Sequence, residues 1–437
     1  MEQMNRRAIW SLLTLILLLT LLSGCYSIQE GGALDAATSE KIPAEADAEK
    51  AMKMRGYDIP TENVLAGLRF VPSSTTGGFW TWTLFMQAYI QGFDPVTDTK
   101  YIPCYQAGCM HTDESCPAYF GDIAGLAEYR GNFYAMVYRN DETASAFVTR
   151  PASGGPMRVL ASWEPETENE VKRCGLLCLS FGKAYIIVRQ ETYTVTAEGE
   201  ETQSINACSL WSIDLETGEA VELIPDTSDR RLYGIWKDCL VYSEAEVLEN
   251  APSFDEWLLE QPEGTPWSDY TLQYARYRLL YRDFKTGETR TLVDRSEDFV
   301  MTVDPNVCWG QYVVYQVDRS LYVYDMEAQK AKELFTHMQG DWDYYNYQLQ
   351  DGHVIAICGT DEFCRSFAID ITDGTAVEMD NRGGNCVAFS IKYECDDYFV
   401  GLLSGKSTGV EDYCLRKEDF YRSDYDAAFR VDSGGAG

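Results

Sequence analysis

The chain is poor in positive charge and in histidine. Its 437 residues carry 36 Lys and Arg against 69 Asp and Glu, a net charge of −33, with only three histidines. A polyanion is held by neutralising its phosphates with Lys and Arg, so nucleic acid is excluded as a partner. Catalytic signatures are missing too: there is no P-loop, no H-E-x-x-H and no G-x-S-x-G. Proline is scarce at 14 residues, while 45% of the chain is hydrophobic and 13% aromatic, too apolar for disorder and long enough to bury a large core.

The one long apolar run, residues 8–22, is short for a spanning helix, which needs about 20 residues. Arg6 and Arg7 precede it and Leu22-Ser23-Gly24-Cys25 closes it, the layout of a secretory signal. The Cys directly after Leu-Ser-Gly resembles a bacterial lipobox, in which that Cys is acylated. Residues 1–24 are therefore expected to be removed and Cys25 to hold the chain on the outer face of a membrane. Cleavage takes away Glu2, Arg6 and Arg7, so −33 becomes −34. Residues 25–63 are rich in Ala, Glu, Asp, Ser and Lys and read as a flexible, self-repelling tether.

From residue 64 the chain repeats. An alternating strand ends in Asp, a Thr-Gly-like turn follows, and another strand leads away, as in Leu210-Trp-Ser-Ile-Asp214-Leu-Glu-Thr-Gly218 and Leu280-Tyr-Arg-Asp283-Phe-Lys-Thr-Gly287. Relatives of the motif end at Asp94, Asp325 and Asp370, with Arg150-Pro-Ala-Ser-Gly154 a degenerate copy. Asp caps the turn and Gly supplies φ > 0, so each copy predicts a hairpin. A second turn and an aromatic strand stand upstream of most copies, as in Phe181-Gly182-Lys-Ala-Tyr-Ile-Ile-Val188. Two hairpins per unit give four antiparallel strands, and gaps of 42 to 69 residues suit blades with variable loops. The reading is an all-β, seven-bladed β-propeller over 64–437, with six or eight blades as alternatives. An insertion at 244–276 interrupts the fourth unit, either as a projecting helical flap or as a loop packed on its neighbour.

Cys104, Cys109, His111 and Cys116 form C-x4-C-x-H-x4-C within thirteen residues. Three potential thiolates and an imidazole suit a closed tetrahedral Zn²⁺ site. One disulfide with a spare thiol, or packed free thiols, are the alternatives in an exported chain. Cys178, Cys208, Cys239, Cys358 and Cys414 lie in or beside apolar strands and read as small hydrophobes. So many thiols suggest an anaerobic host, and Cys358 with Cys364 is the most plausible bonded pair. His353 alternates with Ile355 and Ile357 and reads as a core or edge residue. His337 falls in a loop, and Asp432-Ser-Gly-Gly435 sits in a terminus expected to fray.

The lipobox, the acidic tether, the Cys/His loop followed by Pro117-Ala118-Tyr119 and the closing Lys417-Glu-Asp-Phe-Tyr421 resemble a family of propeller-type lipoproteins of anaerobic Gram-positive bacteria. The resemblance runs from Cys25 to the C-terminus and implies a lipid-anchored propeller with no established activity; the chain lacks a sialidase-type Asp box and a WD series. Two functions are expected to compete. The first is a monomeric cell-surface module that binds a protein, glycan or small ligand through its loops, with Trp257, Trp267, Tyr270 and Tyr274 of the insertion as contact residues. Trp80, Trp82, Trp342, Tyr344 and Tyr345 are further candidates for stacking on sugar rings. The second is a polysaccharide-active hydrolase or lyase using carboxylates at the channel mouth, no pair of which is distinguished by sequence.

Overall fold

The structure, a computed structural model, describes residues 62–431 apart from 66–69, 73–78, 83–88, 96, 98, 140–142, 196–200, 229, 260, 262–273, 295–306, 318–319, 337–342, 361–362, 381–387 and 405–411. The signal segment, Cys25, nearly all of the tether, Trp267, Tyr270, His337, Trp342 and Asp432 to Gly435 lie outside the described residues.

The strands follow one another as sheets. After β1 (Asn63–Leu65) come β2–β5 (Phe70–Pro72, Phe79–Trp82, Ile90–Asp94, Thr99–Tyr101), β6–β9 (Asp122–Tyr129, Asn132–Arg139, Ala144–Pro151, Arg158–Trp163) and β10–β13 (Glu170–Ser180, Lys183–Val195, Glu201–Asp214, Ala220–Ile224). Then follow β14–β17 (Arg230–Trp236, Cys239–Val247, Ala275–Asp283, Thr289–Asp294) and β18–β21 (Cys308–Trp309, Tyr312–Val317, Ser320–Asp325, Lys330–Thr336). The last two groups are β22–β25 (Asp343–Gln350, His353–Thr360, Phe363–Asp370, Ala376–Met379) and β26–β29 (Phe389–Glu394, Tyr398–Leu403, Asp412–Arg416, Phe429–Val431). Each group of four is an antiparallel meander, and β1 joins the free edge of β10, giving six four-stranded sheets and one of five. This all-β succession of meanders is a β-propeller. Helix α1 (Phe254–Leu258) lies between β15 and β16, and α2 (Lys417–Tyr421) between β28 and β29.

The expected turn chemistry is present. Asp214 Oδ1 accepts from the backbone N–H of Glu216 and Thr217 at 3.0 and 2.8 Å, and Asp283 Oδ1 from Lys285 and Thr286 at 2.8 and 3.0 Å. Asp325 and Asp370 repeat the pattern on the two N–H groups that follow their turns. In the other hairpin of the unit, paired left-handed residues such as Phe181-Gly182 and Asp351-Gly352 make the tight turn, with φ of 48° and 84° and of 51° and 65°.

Second and third strands are buried on both faces, as in β8, whereas fourth strands such as β9 are largely exposed. Neighbouring sheets thus cover one another's middles and leave polar outer edges. The apolar clusters run around the ring, and Phe93 of β4 packs against Cys395, Tyr398, Val400, Cys414 and Val431, joining the first four-stranded sheet to the last through side chains. The short β1 braces three sheets. Asn63, read from sequence as the end of the tether, is 5% exposed and donates from Nδ2 to Ile235 O and Gly310 O at 2.9 and 3.0 Å.

Three expectations are corrected. Trp80 is not an exposed stacking platform: it is 3% exposed and donates from Nε1 to Glu128. Cys358 is a free, buried thiol, and it opposes Arg365 while Cys364 opposes Gly359, so the register sets positions 358 and 364 on opposite faces of the hairpin. The ends of the 244–276 insertion are sheet, with pairing continuing from Glu244↔Arg278 to Val247↔Ala275. Between them, Ser253 and Glu256 form a reciprocal cap on α1, whose Trp257 is 7% exposed and stacked on Phe254 at 5.8 Å. Tyr274 is half-buried, and its carbonyl accepts from Leu248 N–H.

Candidate metal centre

The connection between β5 and β6 leaves the sheet edge at Ile102 and returns at Ala118, whose carbonyl accepts from Ile90 N–H at 2.9 Å. Between these points the chain coils through local turns: Cys109 N–H donates to Gln106 O and Cys116 N–H to Asp113 O. Gly108 and His111 take left-handed conformations, with φ of 73° and 58°. These bends bring Cys104, Cys109, His111 and Cys116 together, and their ligand atoms all lie within 4.8 Å of one another. A zinc–sulfur bond of about 2.3 Å sets tetrahedral ligand separations of about 3.8 Å, so a modest contraction of the loop closes the four donors around one ion. The set is three sulfurs and one imidazole, and the donors fit zinc.

All three sulfurs are free thiols, with none bonded to another. Cys116 is 1% exposed and packs with Trp80, Ile90 and Phe133, while Cys104 and Cys109 lie at the margin of that cluster. His111 Nδ1 stands 3.1 Å from Cys116 Sγ, and its ring leans on Tyr89 at 5.6 Å. Burial pushes the Cys116 thiol up to about 11, whereas the His111 backbone N–H lowers that of Cys109. A bound cation overrides such differences by deprotonating each coordinating thiol.

Arg150, at the end of β8, holds the loop from below. It is 1% exposed. Its guanidinium donates to Cys116 O at 2.5 Å, Tyr119 O at 2.9 Å and Glu114 O at 3.1 Å, and lies 5.4 Å from the centroid of the Phe120 ring. The sequence places Arg150 only in a degenerate turn; its separation of 34 positions from Cys116 hides the contact.

A second buried polar cluster was not read from the sequence. Lys417 Nζ of α2 donates to Asp351 at 3.0 Å and to Glu394 at 2.8 Å, and Tyr421 OH donates to Asp351 Oδ2 at 2.8 Å. His353, fully buried as a core histidine, places Nδ1 2.6 Å from Asp351 O and 3.0 Å from Tyr421 OH. Trp309 Nε1 and the Asp351 N–H both donate to Glu394 Oε2. Burial raises the Glu394 carboxyl and lowers the His353 imidazolium. It also opposes charge on Lys417, but Glu394 and Asp351 more than offset that and raise the ammonium. The cluster fastens the turns of three sheets and presents no open group. Its only sequence signal is Lys417-Glu-Asp-Phe-Tyr421 standing where a hairpin turn belongs.

No family model matches the chain, and no curated relative matches its sequence. Solved structures with a similar fold include an oligogalacturonate lyase in complex with manganese, 11% identical over 85% of this chain and 86% of that one, with a TM-score of 0.40. The β-propeller domain of the Trilobed protease from Pyrococcus furiosus is 10% identical over 83% and 97%, with a TM-score of 0.43. A prolyl endopeptidase is 10% identical over 89% of this chain and 52% of that chain, with a TM-score of 0.45. At such identities the likeness is one of fold alone.

Proposed function

We propose that the chain is an extracytoplasmic binding module: a β-propeller tethered to a membrane through acylated Cys25, with a structural Zn²⁺ held by Cys104, Cys109, His111 and Cys116. Six four-stranded sheets form six blades; that the five-stranded sheet is a seventh, with β1 an added brace, is part of this proposal. The observation that carries the reading is the convergence of four protein donors on one point of a loop packed into the core. Four protein ligands close a zinc site, which then stabilises the fold and leaves no position for substrate. The buried carboxylates Asp351 and Glu394 are committed to Lys417, which argues against them as the acid pair of a glycan-cleaving enzyme. Binding therefore falls to the loops, and the ligand classes that suit a surface module are proteins and glycans.

Metal analysis of anaerobically purified protein should find about one zinc per chain, lost in Cys109→Ser. A glycan array with product analysis then separates module from enzyme: retention without turnover supports the module, and cleaved product the hydrolase or lyase. Anchoring is read from detergent partition, which Cys25→Ala should abolish.

A further inference from the structure

Arg150 is a buried cation with no ion-pair partner among the described residues. Among the described residues no acidic oxygen lies within 4.0 Å of its nitrogens, and its hydrogen bonds all go to neutral backbone carbonyls of the Cys/His loop. Glu114 is exposed: it meets Arg150 through its carbonyl, and its carboxylate acts on the guanidinium only from beyond ion-pair distance. Arginine does not deprotonate in proteins. Carbonyls accept from its two terminal nitrogens while Nε has no partner, and none of them supplies net charge; a guanidinium taken out of water costs several kcal/mol unless an anion stands close by. The chain brings three cysteines and a histidine to the segment that Arg150 grips. A divalent ion bound by three thiolates and a neutral imidazole carries one net negative charge. A monovalent ion there would leave two negative charges, and a trivalent ion none.

We infer that Arg150 is the counter-ion and positioning residue of this centre, matched to a divalent, thiophilic ion bound as three thiolates and one neutral imidazole. The inference rests on the zinc reading and sharpens it. A disulfide between any two of the cysteines removes the anion that Arg150 answers, so the same buried cation that orders the loop also favours thiolate coordination over oxidation.

The test uses the full chain, purified under reducing conditions, with Zn²⁺ as the probe and a chelator of known affinity as competitor. Arg150→Met keeps length and removes charge; Arg150→Lys keeps charge and loses the planar fork. Zinc should bind Arg150→Met at least tenfold more weakly than wild type and Arg150→Lys within about threefold. X-ray absorption at the zinc edge of the wild type should count three sulfurs and one nitrogen, a measurement that holds even if Arg150→Met fails to fold. Wild-type affinity in Arg150→Met, equal weakening by Lys and Met, or two sulfurs at the metal would each overturn the role of Arg150. A wild-type chain that takes up no zinc overturns the zinc reading itself, so the two failures are distinguishable.

Discussion

Two seams of the ring contain buried charge, and they meet its cost in opposite ways. Between β22–β25 and β26–β29, Lys417 faces Asp351 and Glu394, so cation and anions come from the same chain. Between β2–β5 and β6–β9, Arg150 donates to backbone carbonyls of the Cys/His loop, and no carboxylate of the described residues pairs with it. The first cluster is complete as folded and is architecture. The second, on the zinc reading proposed above, is completed by an ion. A buried charge that its own chain leaves unanswered marks where something from solution belongs, and a fully answered one marks a rivet. The two seams flank the junction closed by Phe93, where packing is apolar.

The largest effect should come from making the first seam resemble the second. Lys417→Met strands two buried carboxylates and should cost about 3–5 kcal/mol in urea unfolding, the range for breaking one partner of a buried ion pair. A loss below about 1 kcal/mol would mean that water reaches the cluster. Emptying the second seam comes next. With zinc at a hundred times its dissociation constant, chelation should lower stability by about 2.7 kcal/mol. The same decrement is expected in a folded Lys417 variant, because the two clusters share no partner; a chelation effect that vanishes there would show the seams to be coupled.

The smallest effect is a pH slope confined to the Lys417 seam. Burial lowers the His353 imidazolium, so below pH of about 6.5 the unfolded chain takes up a proton that the folded chain refuses. Stability attributable to His353 is therefore full above that pH and falls, as pH drops toward the folded value, by up to about 1.4 kcal/mol per unit. Glu394 works with the opposite sign: its raised carboxyl makes folding more favourable as pH falls from the folded value toward the unfolded reference of about 4.3, so it opposes the His353 decline and His353→Gln is what isolates the two. Melting curves at pH 7 and pH 5.5 should show the decline in wild type and a shallower one in His353→Gln. An unchanged slope in the variant would assign it to other groups.

What was legible in the sequence was local. The Asp-capped turns were readable because a carboxylate reaches N–H groups only two and three residues ahead, and Gly218, Gly287 and Gly374 supply the left-handed backbone those turns require. The Cys/His cluster was readable because all four residues fall within one thirteen-residue loop. Cys358 and Cys364 misled for the same reason: closeness in sequence suggested a bond that the alternation of a hairpin forbids.

By itself, then, the sequence determined the strand and turn units, the negative charge and the donor set of the Cys/His loop, since each depends on residues a few positions apart. Only the tertiary structure decided that Asn63 braces strands from two further sheets, that Lys417 meets carboxylates 66 and 23 residues away, and that Arg150 lies beneath a loop 34 residues upstream. Those partners are chosen by the ring's closure, which buries their charges together, and burial converts a weak surface attraction into an interaction that must be answered.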